Sequence, residues 1–163
     1  MRIPTRHIAE AGIIGALYAA LTVAFAPISY GPVQVRIAEA LTVLPFLTGR
    51  AIWGLYAGCL VANIFGGYGL VDIFGGSFLT LLAAIATWWL RRFNRPLLAP
   101  LPPVLINALG VSLYLHILAK WPYWLTVAYV GLGEFAACYI LGYPLLLILR
   151  RRITCPIIFR FPF

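Results

Sequence analysis

The chain carries only four acidic side chains, Glu10, Glu39, Asp72 and Glu134, and each lies in or beside a run of apolar residues. An ionised group within such a run costs about 2.5–3.5 kcal/mol on membrane-insertion scales, so each needs a physical reason. Glu134 is the most informative. Gly131, Gly133, Ala136 and Ala137 surround it, and no basic residue lies within a helical turn. A carboxyl group so placed is protonated, faces water in a cavity, or meets a cationic or donor-rich ligand. The bland alternative is a protonated Glu134 bonded to a neighbouring helix. Asn107 is the other deep polar group, with Tyr114 on the same helical face, and interhelical bonding would explain it equally well. Asp72, Gly76 and Thr80 share a face at i, i+4 and i+8, where two small side chains leave space around the acid. An N-cap role alone would also account for Asp72. Glu39 follows Arg36 by one helical turn, so it is either an internal ion pair or a ligand group. Glu10, near Arg6 and His7, reads as an interfacial pair.

Other chemistries have no foothold. The sequence contains no GxxxxGK[ST] phosphate loop, no HExxH, no GxSxG and no paired histidines, and His7 and His116 are isolated. Cys59, Cys138 and Cys155 lack CxxC spacing and read as packing residues. No cofactor or metal is expected. Nothing in the chain can hydrolyse a nucleotide, so ATP-driven work would fall to another protein.

The elements that must position these residues are membrane helices. Hydrophobic residues make up 63% of the 163-residue chain and charged residues 10%, against roughly 25% charged in soluble proteins. With roughly 20 apolar residues needed per span, the apolar runs give an all-α bundle of six helices: 8–26, 37–48, 51–65, 71–90, 97–118 and 123–149. Residues 1–152 thus form a single membrane domain, and 153–163 a tail without an assigned role. The net charge of +8 suggests nucleic acid only until its positions are read. Arg2, Arg6, Arg50, Arg91, Arg92, Arg95 and Arg150–Arg152 all fall on one side of a six-span topology, leaving Arg36 and Lys120 opposite. That bias predicts cytoplasmic N- and C-termini. The Ala24-Phe25-Ala26 segment resembles a signal-peptidase site, but Glu10 and the long apolar run suit a retained helix better.

Runs two and three are short for a hydrocarbon core of roughly 30 Å. The flanking segments Ser29–Arg36 and Gly66–Asp72 must supply the missing length, and irregular backbone at membrane depth survives only inside protein or along a cavity. The pattern therefore predicts an outward-facing pocket roofed by those segments. Two small-residue stripes, Gly12-Ala16-Ala20-Ala24 and Gly54-Gly58-Ala62-Gly66, permit close helix approach, within the bundle or against a partner protein.

The segments YGPVQVRIAEALTVLPFL (Tyr30–Leu47), GLYAGCLVANIFGGYGLVDIFGGSFLTLLAA (Gly54–Ala84), PPVLINALG (Pro102–Gly110) and GLGEFAACYILGYPL (Gly131–Leu145) resemble the queuosine-precursor transporter family. Its members are substrate-binding (S) components of energy-coupling factor (ECF) transporters. The resemblance implies a six-helix S component in a bacterial plasma membrane that captures its substrate from outside. It also implies docking through the Gly12–Ala24 stripe onto a coupling membrane protein driven by two cytoplasmic ATPases. The implied ligand is a 7-deazaguanine such as 7-aminomethyl-7-deazaguanine (preQ1), with a donor-bearing guanine edge and a cationic aminomethyl group. Glu134 and either Asp72 or Glu39 would meet those two ends. Gln34, Arg36 and Asn107 would answer the remaining polar groups, Thr80 would share the Asp72 face, and Tyr30, Tyr68 and Trp124 would offer stacking faces. An S component for another vitamin-like compound stays open, as does a proton-coupled secondary transporter using Glu134 or Asp72. The latter sits poorly with the chain's size and the lack of an evident inverted repeat.

Overall fold

Proline and glycine set most of the boundaries in this chain. The computed structural model describes residues 5–29 and 35–154, and all regular structure among them is helical. Helix α1 (Thr5–Ala24) gives way to the short α2 (Ala26–Ser29), because Pro27 has no N–H to continue the first helix. Helix α3 (Ala51–Gly66) ends at Gly67, whose φ of 70° is a left-handed cap that costs glycine nothing. Helix α4 (Ser77–Leu90) continues directly from a π-helical segment, Asp72–Gly76. Pro102 and Pro103 sit in the first turn of α5 (Leu101–Ala119), where their missing donors are unneeded. Helix α6 (Tyr123–Phe135), a second π segment (Ala136–Gly142) and α7 (Tyr143–Thr154) form one continuous rod.

Each of the six apolar runs is helical. Four helices, Thr5–Ala24, Asp72–Phe93, Pro96–Ala119 and Tyr123–Arg152, are long and apolar enough to cross a membrane. The second run departs from an ordinary α-helix: Ile37–Phe46 is a 3-10 helix with Pro45 inside it. At about 2.0 Å per residue it reaches roughly a third further than an α-helix of the same length, so a short run covers more of the bundle's height. This helix is buried along nearly its whole length, among α1, α3, α4, α7 and the second π segment. Around it, α1 lies on α3, α3 on α4, α4 on α5 and α5 on α6.

The α1–α3 seam is backbone against backbone. A Cβ on Gly54 would stand 2.5 Å from the Ala11 carbonyl oxygen, and one on Gly58 2.5 Å from that of Gly15. The Gly54-Gly58-Ala62 stripe is therefore an internal packing face, matched on α1 by Gly15, Tyr18 and Thr22. The other stripe, Gly12-Ala16-Ala20-Ala24, is exposed.

Polarity is inverted relative to a water-soluble domain. Ile13, Trp53, Phe65 and Leu70 are each about two-thirds or more exposed, while Glu39, Asp72, Glu134, Asn63 and Asn107 are buried. Arg36 is buried in the interior, while other arginines are paired or stacked near helix ends. Arg50 Nη1 meets Glu10 Oε2 at 2.6 Å and Arg6 Nε meets Glu10 Oε1 at 3.2 Å, tying α1 to the turn before α3. Arg91 and Arg92 lie over the rings of Trp88 and Trp89, and Arg150 donates to Asn94 Oδ1 at 2.7 Å. Lys120 closes α5 at its far end.

Candidate functional site

Polar side chains from four elements converge in the bundle interior on a small enclosed cavity walled by Arg36, Glu39, Gly76, Thr80, Asn107, Val111 and Glu134. The start of the 3-10 helix brings Arg36 and Glu39, the first π segment and α4 bring Gly76 and Thr80, α5 brings Asn107 and Val111, and α6 brings Glu134. Both π segments border the site: one contributes Gly76, and the other begins two residues after Glu134. Such i→i+5 stretches often mark functional positions, because the extra residue per turn redirects side chains.

Asn107 Nδ2 donates to Glu134 Oε1 at 3.3 Å, and the Cys138 thiol lies 3.7 Å from Glu134 Oε2. Glu39 Oε1 accepts a hydrogen bond from the Tyr18 hydroxyl. Thr80 Oγ1 donates to the Gly76 carbonyl at 3.2 Å and contacts the Cys59 thiol at 3.4 Å. Asp72 stands beside the wall rather than in it. Its Oδ1 accepts from Tyr114 at 2.6 Å, and its backbone carbonyl accepts from Asn63 Nδ2 at 3.0 Å. A Cβ on Gly76 would lie 3.0 Å from Asn63 Nδ2 and 3.4 Å from Asp72 Oδ1, so glycine is what leaves room for this cluster. Asp72 is not an N-cap: it sits inside the π segment and its side chain is taken by Tyr114.

Three acceptor oxygens in and beside the wall, Glu39 Oε2, Asp72 Oδ2 and Asn107 Oδ1, are buried without a protein hydrogen-bond partner, as are the side-chain oxygens of Ser29, Asn63 and Ser112. Two carboxyl groups and one guanidinium on the wall, with a third carboxyl alongside, favour positive charge and hydrogen-bond donors. The cavity measures about 10 Å³, the space of a single water molecule. A bicyclic base requires the wall to move apart.

Five of the side chains singled out from sequence thus share one wall: Glu134, Asn107, Thr80, Arg36 and Glu39. Asp72 adjoins them. Tyr30 and Gln34 lie outside the described residues. Tyr68 and Trp124 are 56% and 76% exposed and form no part of the wall. Trp124 sits in the first turn of α6 with its ring 5.0 Å from Tyr123, where an indole suits a lipid–water boundary. Tyr18, Asn63 and Cys138 escaped the sequence reading. A tyrosine in an apolar run gives little signal, and Cys138 reads as packing until Glu134 is seen beside it, whereas Asn63 is an amide within the third run and the rule that singled out Asn107 could have found it.

A much larger groove, of about 830 Å³, runs along the outside of the α1–α3 pair. Gly12, Ala16, Ala57 and Val61 line it, with His7 and Arg50 at one end. No acid lines it, so the small polar cavity is the better ligand site.

The family model described as QueT transporter matches residues 8–151. A protein of Lactococcus lactis subsp. cremoris (strain MG1363), described as queuosine precursor transporter QueT, is 29% identical over 149 residues, covering 83% of this chain and 88% of that protein. No solved structure matches the chain.

Proposed function

Because this chain belongs to the QueT transporter family, we propose that it is the substrate-binding membrane subunit of an ECF-type importer of a queuosine precursor. The family is one of transporters, not enzymes. In this reading the six helical runs all lie within the bilayer, the arginine-rich end faces the cytoplasm, and substrate enters from the opposite side. The positive-inside bias supports that orientation. A separate coupling membrane protein and two cytoplasmic ATPases supply the energy, consistent with the absence of any phosphate loop in the sequence. The exposed Gly12-Ala16-Ala20-Ala24 face of α1 is where the coupling protein docks.

The observation that carries the substrate assignment is the set of unpartnered buried acceptors, Glu39 Oε2, Asp72 Oδ2 and Asn107 Oδ1. A buried acceptor left without a donor costs about 1–3 kcal/mol, and a ligand rich in donors removes that cost. The ligand 7-aminomethyl-7-deazaguanine offers N1–H, an exocyclic amine and an ammonium group. Glu134 and Asn107 receive the ring's amide edge, and Glu39 or Asp72 receives the ammonium. Arg36 answers the ring carbonyl, and Thr80 completes the wall. The wall closes around the ligand as it binds.

Isothermal titration of the purified, detergent-solubilised chain with 7-aminomethyl-7-deazaguanine tests the proposal, with guanine and thiamine as controls. Tight binding without partner or ATP is the expected result. A folded protein that takes up none of it would discard this substrate in favour of another vitamin-like compound.

A further inference from the structure

We propose that Tyr18 is a positioning residue for the substrate site. It touches no ligand but fixes which oxygen of Glu39 is offered to one. Tyr18 is fully buried on α1 and is not part of the cavity wall. Its hydroxyl hydrogen-bonds Glu39 Oε1, while Glu39 Oε2 has no protein partner. A carboxyl group with both oxygens free can swing about its terminal torsion. One pinned through a single oxygen presents the other in a fixed direction. The pin is itself held from behind. A Cβ on Gly58 would lie 2.9 Å from Tyr18 Cβ, so the close α1–α3 contact fixes the root of the Tyr18 side chain. The Thr22 hydroxyl donates to the Tyr18 carbonyl at 2.9 Å, and this local bond adds to the definition of α1 at that turn. Binding geometry is thus set partly from a helix that contributes nothing to the wall.

The inference rests on the substrate reading above, in which Glu39 faces the ligand. Its test compares wild type, Tyr18→Phe and Glu39→Gln by titration with 7-aminomethyl-7-deazaguanine and by ligand-induced infrared difference spectra. Phenylalanine keeps the ring and its packing and deletes only the hydroxyl. The affinity of Tyr18→Phe is expected to fall about tenfold, the scale of one hydrogen bond to a charged group. The carboxyl band that Glu39→Gln removes from the difference spectrum should shift in frequency in Tyr18→Phe. A role in packing alone would leave that band where it is. Gly58→Ala, whose Cβ must push back the α1 backbone at Gly15 and Tyr18 Cβ, should shift the same band and serves if Tyr18→Phe does not fold. Unchanged affinity, or an unmoved band, in folded variants of a wild type that binds would overturn the Tyr18 assignment alone. A wild type that binds no 7-aminomethyl-7-deazaguanine would overturn the substrate reading and this inference with it.

Discussion

The two concave regions of this molecule share helix α1 and use it in opposite ways. The interior cavity is tiny, polar and assembled from five elements, and α1, which lines none of it, reaches Glu39 through the Tyr18 hydroxyl. The exterior groove is some eighty times larger, about 830 Å³ against about 10 Å³, yet its wall is made chiefly of glycine, alanine and aliphatic side chains. Size alone would choose the groove as the ligand site, whereas chemistry chooses the cavity. A small ligand is recognised by converging polar groups in a dry surrounding. A surface of small residues gains its binding energy from close approach of another helix. In the function proposed above, one face of α1 serves the ligand and the other a partner protein.

Substitutions at the two regions should therefore separate binding from transport. The largest effect is expected from Glu134→Gln, which keeps the shape and the Asn107 contact but replaces an acceptor oxygen with a donor. Affinity for 7-aminomethyl-7-deazaguanine should drop about a hundredfold, the consequence of setting donor against donor in a buried site. Its unfolding midpoint should stay near that of wild type, and unaltered affinity in titration would remove Glu134 from the site. Next is Gly58→Ala, placed where the two regions meet. Its Cβ must displace the Gly15 backbone, an overpacking cost of about 1–3 kcal/mol, so thermal unfolding in detergent should begin several degrees lower.

Ala16→Leu, in the exposed stripe, should leave titrated affinity unchanged. Uptake by the complete transporter in proteoliposomes should fall about tenfold, which corresponds to about 1.4 kcal/mol at a helix interface. Loss of ligand binding in that variant would erase the distinction between the two faces of α1. Glu10→Gln should cost under about 1 kcal/mol in a denaturation experiment, because its pairs with Arg6 and Arg50 are part-exposed. The smallest effect belongs to Trp124→Ala: with the indole 76% exposed and outside the wall, ligand affinity should not move. A clear loss there would return Trp124 to the stacking role that its position argues against.

The apolar runs alone dictated a bundle of helices, because an apolar segment of that length with few charges has almost no other stable form. They also exposed Glu134, Asn107 and Asp72, since an ionisable or amide group inside such a run is expensive and stands out for that reason. The positions of the arginines were equally legible, and the structure brings Arg6, Arg50 and Glu10 together at one end. What periodicity could not reveal was the kind of helix. The 3-10 stretch Ile37–Phe46 and the π segments Asp72–Gly76 and Ala136–Gly142 differ from an α-helix by one residue per hydrogen-bonded turn, a choice made by packing against neighbours. Nor could it show that the Gly54–Ala62 stripe is consumed within the bundle while the Gly12–Ala24 stripe is left outside. That division depends on which face of α1 meets α3. The site itself is tertiary in the same sense. Glu39 and Glu134 are far apart in the chain, and only the packing of the 3-10 helix against the rod from α6 to α7 places both on one wall, with Tyr18 behind the first and Asn107 holding the second.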